Sequence, residues 1–353
     1  MEYRWFNKSP FTTRYVLQMN ILLTSAGRRT YMIRYFKNAL KGTGLVHASN
    51  SVFTYTLSQA DKYVITPQIY DEGYVDFLLV YCRKENISVI ISLFDIDLPI
   101  LAENKKKFAE NGIKVVVSDY DVTQICNDKW LTYKFLGSVG LPRIPTFIRL
   151  DDVTHSLKKG YITFPLILKP RWGMGSIGIY TVNNENELDV LYNKLHQEIF
   201  DTYLKYESKV DVDSCIVIQK KIVGQEYGME ILNDLLGYHV ATFVKKKLAM
   251  RSGETDIAET VSNSDFNFTA NAIANGLRHI AMLDADCFKL ADGRIYVLEL
   301  NCRFGGQYPF THNAGVDVPL QIVKWLNGEN TDLNLLSPML GVRSCKDIMP
   351  IVF

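Results

Sequence analysis

The sequence predicts an α/β protein. A parallel sheet flanked by helices covers residues 19–121, and a mixed α+β region covers 122–330. Three observations lead there. Short apolar runs alternate with helical stretches from 20 to 120. From 144 onward the rhythm changes to strands joined by turns. The 353 residues, 47% hydrophobic and 22% charged, exceed one ordinary domain and are globular in composition.

Ile21 to Thr24 reads as a buried strand, Ser25 to Arg29 as a loop and Tyr31 to Leu40 as a helix. Strands follow at Leu45 to Ala48 and Tyr63 to Thr66, then a helix from Tyr74 to Glu85. Val89 to Leu93 is a strand, Leu98 to Asn111 a helix and Lys114 to Ser118 a strand. Such βαβ units place a ligand beyond the C-terminal strand ends. Residues 121–140 read as a helix stopped at Gly140-Leu141-Pro142. Thr146 to Arg149, Leu166 to Lys169 and Ile179 to Val182 read as strands, and Glu185 to Tyr203 as a helix. Long strands fill 214–300, with one helix near Asn271 to Met282. The first eighteen residues read as an extension, poorly ordered or upstream of a natural start at Met19. Residues 331–353 read as a C-terminal tail.

Lys and Arg total 39 against 38 Asp and Glu, a formal charge of +1. That balance gives no electrostatic case for nucleic acid or an anionic membrane as a partner. The six cysteines are scattered without a CxxC pair, which suits a reducing, cytoplasmic setting. The longest apolar run, near Ile87 to Leu101, is interrupted by Asp95 and Asp97 and is too short for a membrane span.

Residues 169–178 read Lys-Pro-Arg-Trp-Gly-Met-Gly-Ser-Ile-Gly. Gly173, Gly175 and Gly178 satisfy G-x-G-x-x-G, yet a strand follows where a dinucleotide fold needs a helix. Lys169 lies upstream of the loop, and no HRD or DFG motif follows, so a protein kinase is excluded. A strand–glycine loop–strand hairpin remains. It can fold over phosphates, with Lys169 as a point charge, or be a plain hairpin.

In Asp286 to Arg303, Asp292-Gly293 marks a hairpin turn. Strand period places Glu299, Asn301 and Arg303 in one row and Leu298, Leu300 and Cys302 on the opposite face. Burying such polar groups unpaired would cost about 2–7 kcal/mol each. Asp286 on the partner strand can face the same row. Asp286, Glu299 and Asn301 offer oxygens suited to magnesium, and Arg303 suits charge on a transferring phosphoryl group. The bland alternative is a salt-bridged edge strand.

In order, Asn127-Asp128-Lys129, Leu168-Lys169-Pro170, the glycine loop, Gln219-Lys220-Lys221-Ile222 through Gln225-Glu226-Tyr227, and Glu299 to Gly306 resemble the ATP-grasp superfamily. The branch that they look most like is the free-standing group similar to the carbamoyl-phosphate synthase large subunit, whose Gly-Arg-Arg loop matches Gly27-Arg28-Arg29. The resemblance covers residues 20–325. It implies a Rossmann-like pre-ATP-grasp domain, then a two-lobed ATP-grasp domain with a small lobe at 122–215 and a large lobe at 216–330. It implies ATP with one or two magnesium ions, manganese being an alternative. Lys129 and Lys169 would contact phosphates beneath a lid containing Gly173, Gly175, Ser176 and Gly178. Gln219, Lys220, Lys221 and Ile222 would line the adenine pocket, and Glu226 would bind the ribose. Asp286, Glu299 and Asn301 would hold magnesium, with Arg303 at the transferring phosphoryl group. Lys220 stands where relatives usually have glutamate, and Cys302 where they often have proline.

The activity implied is carboxylate–amine ligation through an acyl phosphate, on small-molecule substrates, with a homodimer as the family-based expectation. The alternatives are a small-molecule, carbamate-like kinase and a non-catalytic ATP-binding protein. Arg251, in a basic stretch with Lys245 to Lys247, is the further candidate facing the phosphates, while the lysine run reads as a solvated face. Arg28 and Arg29 read equally as an anion site or a solvated helix start. Asp95 and Asp97 read as amine ligands or helix caps. His312 reads as an acceptor contact or a structural histidine.

Overall fold

The computed structural model describes residues 19–173 and 177–352. The chain begins β1 (Asn20–Thr24), α1 (Thr30–Leu40), β2 (Val46–Asn50), α2 (Tyr55–Ser58), β3 (Lys62–Ile65), α3 (Tyr74–Lys84) and β4 (Ile87–Ser92). It continues with α4 (Asp97–Glu103), α5 (Lys105–Ala109) and β5 (Lys114–Val115). These strands form a parallel sheet in the order β3-β2-β1-β4-β5. β1 is buried along its whole length, as its unbroken apolar run demands of a central parallel strand. The strand order reverses between β1 and β4, opening a crevice at their C-terminal ends.

Two helices, α6 (Tyr120–Asn127) and α7 (Lys129–Ser138), lead to β6 (Thr146–Phe147) and α8 (Leu150–Lys158). β7 (Leu166–Pro170), β8 (Tyr180–Val182), α9 (Glu185–Asp201), α10 (Lys205–Ser208) and β9 (Ile216–Lys220) complete a small lobe. Its antiparallel sheet runs β6-β9-β7-β8. It has its own core, with Leu166, Leu168 and Ile218 packed against Leu188, Leu195 and Ile199 of α9.

The third sheet contains β10 (Gln225–Asn233), β11 (His239–Arg251) and β12 (Glu254–Val261). After α11 (Asn267–Leu277) come β13 (Met282–Lys289), β14 (Ile295–Asn301), α12 (Tyr308–Asn313), α13 (Val318–Leu326) and β15 (Arg343–Cys345). The order is β14-β13-β10-β11-β12-β15. Its apolar face, with Met229, Ile231, Leu283 and Leu300, shares one core with Leu22, Leu78 and Leu101 of the first domain.

Local expectations shift in several places. The helix expected over 121–140 breaks at Asp128, whose extended backbone lets its side chain cap α7 through the Trp130 and Leu131 N–H groups. α6 and α7, expected in the small lobe, supply Cys126, Phe135 and Leu136 to the core shared with the first domain. β9, expected in the large lobe, pairs with β7 in the small one. The helix over 98–111 divides at Asn104. α8 escaped notice because its inward stripe, Leu150, Val153 and Leu157, is too short to register. The helix expected near 271–282 lies at 267–277, ended by the left-handed Arg278. In the C-terminal segment, β15 adds an edge strand against β12. The N-terminal extension lies outside the described residues. Among the described residues no helix is long and apolar enough to cross a membrane.

Candidate active site

Strand register assembles the site. Asp286 stands opposite Glu299, and Asp284 opposite Asn301. Glu230 faces Asp284 across β10 and β13, and Gly228 faces both Asp286 and Lys245. Alternate residues therefore make one polar face, and their neighbours make the apolar core beneath. Gly228 is required there, because a Cβ would fall 1.6 Å from the Gln307 Oε1.

The charges on this face are paired. Lys247 Nζ lies 2.7 Å from both Glu226 Oε1 and Asp286 Oδ1. Lys245 Nζ lies 2.6 Å from Glu230 Oε2 and donates to Thr311 Oγ1 at 2.8 Å, all three side chains being buried. Arg303 donates to Asp95 Oδ2 through Nη2 at 2.6 Å and Nε at 3.0 Å, and lies 3.7 Å from Asp284. Gln307 Nε2 donates to Asp284 and, at 3.3 Å, to Asp286.

The small lobe brings the opposing cations. Asp128 holds Arg171 through two hydrogen bonds of 2.9 and 2.8 Å in a buried pair. Lys129 N donates to the Arg171 carbonyl at 3.2 Å, and Asp128 bridges Trp172. This rivet fixes the start of α7 to the base of the glycine loop. Lys129 Nζ donates to the Gly173 carbonyl, and Lys169 is buried at the end of β7. Gly178 has φ +67°, and a Cβ there would lie 2.6 Å from Leu195 Cδ1.

The result is a cleft with two halves. One, of about 240 Å³, is lined by Lys129, Lys169, Gly173, Ile179, Glu226 and Met250 among others. The second, of about 310 Å³, includes Arg29, Asp95, Asp284, Arg303, Gln307 and Lys346 in its lining. Ile177, Gly253, Asp286 and Glu299 border both halves, so the two carboxylates stand at the junction.

Burial drives the site's acid–base character. It lifts Asp286 to about 7, against the opposing pull of Lys247. It raises Asp284 too, helped by Glu230. It lowers Lys169 to about 8, with Lys129 adding like-charge repulsion, and it lowers Lys129 as well. Burial disfavours the Glu299 carboxylate, yet Lys129, Lys169, Lys247 and Arg303 together hold it below the usual range. Burial likewise opposes the Arg303 and Lys247 charges, but Asp95 and Asp286 respectively head the partners that raise them.

Lys129, Lys169, Gly173, Glu226, Asp286, Glu299, Asn301, Arg303, Arg29 and Asp95 thus converge on one cleft. Asp95 holds Arg303 and does not cap α4. Other expected residues lie elsewhere. Arg251 pairs at 2.5 Å with Asp256 on its own hairpin. Asp97 is buried among the Thr24, Ser25, Tyr74 and Ser92 hydroxyls, which leaves it closed to a substrate amine. His312 stacks on Tyr35 with ring centres 3.6 Å apart, a packing role. Arg28 is exposed on the loop after β1. Gln219 and Lys220 end β9, Lys221 and Ile222 follow it, and none of the four is in the lining of either half. There Gln219 donates to Thr146, and Lys220 reaches the Thr163 side chain at 2.7 Å. The expectations for Gly175 and Ser176 fall outside the described residues. Asp284, Lys247, Gln307 and the Asp128–Arg171 rivet were not foreseen. Period-2 counting from Asp286 and Lys245 would have found Asp284 and Lys247. The lysine run is therefore no solvated face, since Lys245 and Lys247 are both buried in the site.

Comparison with known proteins agrees with this architecture. Residues 21–116 match a PylC-like N-terminal domain, and residues 162–309 match an ATP-grasp domain. The chain thus carries an ATP-grasp domain behind a PylC-like N-terminal domain. It is 26% identical over 206 residues to a D-alanine–D-alanine ligase of Thermotoga sp. (strain RQ2), covering 54% of this chain and 61% of that one. It is 24% identical over 269 residues to the carbamoyl-phosphate synthase of Methanobrevibacter smithii, covering 70% and 65%. The match therefore spans about three fifths of the length of the D-alanine–D-alanine ligase. Among solved structures, the biotin carboxylase domain of Hydrogenobacter thermophilus 2-oxoglutarate carboxylase, in complex with MgADP and bicarbonate, superposes with a TM-score of 0.72 at 16% identity, covering 92% of this chain and 74% of that one. N5-carboxyaminoimidazole synthetase of Staphylococcus aureus gives 0.67 at 15% identity, covering 90% and 80%. These likenesses establish the fold.

Proposed function

We propose that the protein is an ATP-dependent carboxylate–amine ligase working through an acyl phosphate. The observation that carries this reading is the position of Asp286 and Glu299, side by side at the junction between a lysine-lined and an arginine-lined half-cleft. ATP would lie in the lysine half, its phosphates met by Lys129 and Lys169 and its ribose by Glu226. The acceptor carboxylate would lie in the arginine half. The γ-phosphoryl group would then face the acceptor across the two carboxylates, with Arg303 held by Asp95 and Asp284 to meet the charge.

The donor set fits magnesium. Asp286, Glu299 and Asn301 offer only oxygen ligands, two of them carboxylates. Among the described residues no group of three or more His, Cys, Asp or Glu side chains could hold an ion unaided. Two carboxylates completed by nucleotide oxygens and water is the manner in which magnesium is held. Bound there, magnesium would neutralise phosphate charge and orient the γ-phosphoryl group. Lys247 would shift from Asp286 toward Glu226, which it already contacts. The small lobe would exclude water from the acyl phosphate, and an amine would attack its acyl carbon, breaking the C–O bond to release inorganic phosphate and losing a proton to give the amide.

The test is ADP release from magnesium-ATP with pooled small carboxylates and hydroxylamine as trap. ADP together with a hydroxamate from one pool is the expected result. ADP without hydroxamate would replace the ligase by a kinase. ATP binding without ADP from any pool would favour a non-catalytic nucleotide-binding role.

A further inference from the structure

Arg29 follows β1 and borders the acceptor half of the cleft. It donates to the carbonyls of Leu93 and Phe304, two neutral partners. Among the described residues it has no ion pair. Burial and the nearby Arg303 work against its charge, and Asp95 and Asp284 offset them only in part. A part-buried guanidinium whose hydrogen bonds all go to neutral carbonyls has donors and charge left for an anionic ligand.

A second cation reaches the same wall from the far end of the chain. β15 pairs with β12, Cys345 opposite Ile257, and Lys346 N donates to the Asp256 carbonyl at 2.8 Å. The strand thereby delivers Lys346 to the cleft, its Nζ 3.7 Å from where a Gly306 Cβ would lie. Its carboxylate partner is Glu254, at 3.0 Å. Glu254 sits at the tip of the β11–β12 hairpin, beside Ser252 and Gly253 with φ of +49° and +78°, and its side chain is 66% exposed. Lys346 leads the groups that lower its pKa, and Arg28 and Arg29 contribute after it. An exposed hairpin carboxylate thus lies in the lining of this half, paired with Lys346 and within the field of Arg29.

We propose that Arg29 and Lys346 form a recognition pair for a second anionic group on the acceptor, and that Glu254 holds this place until the acceptor displaces it. The acceptor is then a dicarboxylate or a larger acid of that class. One carboxylate reacts beside Arg303, and the other is bound by Arg29 and Lys346. The C-terminal strand becomes part of the specificity apparatus. This inference rests on the ligase reading for the reacting carboxylate, but the anion subsite itself can be tested without turnover.

The experiment is titration calorimetry of the full chain with magnesium and a non-hydrolysable ATP analogue. The probes are chain-length-matched pairs: butyrate with succinate, valerate with glutarate, hexanoate with adipate. At least one dicarboxylate should bind roughly tenfold or more tighter than its monocarboxylate partner, about 1.4 kcal/mol. Lys346→Met should erase that preference while leaving the binding of the ATP analogue unchanged. Glu254→Gln, which removes the internal competitor, should tighten dicarboxylate binding several-fold. Equal binding of both members of every pair would overturn the proposal, as would a preference that survives Lys346→Met. Dicarboxylate preference without ADP release or hydroxamate would sink the ligase reading and leave the subsite standing. Hydroxamate formed equally well from both members of a pair would do the reverse.

Discussion

Glu299, part-buried, lines the cleft with Lys129, Lys169 and Arg303, and four cations hold its pKa below the usual carboxylate range against the cost of burial. Replacing it by alanine should lower kcat by about 10²–10³-fold with the circular dichroism spectrum unchanged. Near-wild-type turnover would remove Glu299 from the mechanism. Lys169 gives a pH signature. It must be protonated to meet phosphate, and its pKa is lowered to about 8 by burial and Lys129. ADP affinity should fall as pH rises through about 8, and Lys169→Arg should abolish that fall. An unchanged alkaline limb in the arginine variant would show that another group titrates. Glu299, Asn301 and Arg303 could be read from the sequence because each breaks an apolar strand at alternate positions. Lys247 shares the strand period of Lys245, but its partners, two carboxylates on other strands 2.7 Å away, appear only in the fold.

The glycine hairpin joining β7 and β8 depends on Gly178 for its left-handed turn. Alanine there meets both a positive φ and the Leu195 side chain. We expect a loss of about 1–2 kcal/mol in the small lobe and a raised KM for ATP. A thermal melt and a KM measurement check both, and an unchanged KM would detach the hairpin from nucleotide binding. α11 carries a different liability. His279, just past its C-terminus, is fully buried, with Nε2 3.1 Å from the Ile231 carbonyl and Nδ1 3.4 Å from the Asn233 amide. Burial lowers its pKa from 6.5 to about 4. As pH falls from about 6.5 to 4 the unfolded chain takes up a proton that the folded one refuses, so stability drops, by about 3 kcal/mol at the acid end. Denaturant titrations of wild type and His279→Gln should diverge across this window, the variant losing less of its own stability on acidification. Parallel curves would place the acid sensitivity elsewhere. The elements with strong periodicity were visible in the sequence. α8 and β15 were not, because α8 shows only a short apolar stripe and β15 exists only by pairing with β12.

Across the molecule, Tyr70 links the first domain to the small lobe. Tyr70, in the loop between β3 and α3, stacks on Tyr206 of α10 with ring centres 4.1 Å apart and donates to Glu207. Glu207 and Leu204 border the cleft beside Lys129 and Gly173. Tyr70→Ala should therefore loosen the lobe and speed ADP release several-fold in stopped-flow, with the melting temperature little changed. An unaltered release rate would make this contact incidental. By itself the sequence determined that a parallel-sheet domain precedes an antiparallel one, that the glycine loop is neither a dinucleotide nor a protein-kinase motif, and which residues form the Glu299 row. Those are local facts, written in periodicity and in the order of motifs along the chain. Only the tertiary structure decided that Asp97 is sealed among hydroxyls while Asp95 holds Arg303, that Arg251 serves its own hairpin, and that Lys346 reaches a cleft that opens at β1. Each depends on register or on contact between segments dozens to hundreds of residues apart, where burial and the partner's charge set what a side chain does.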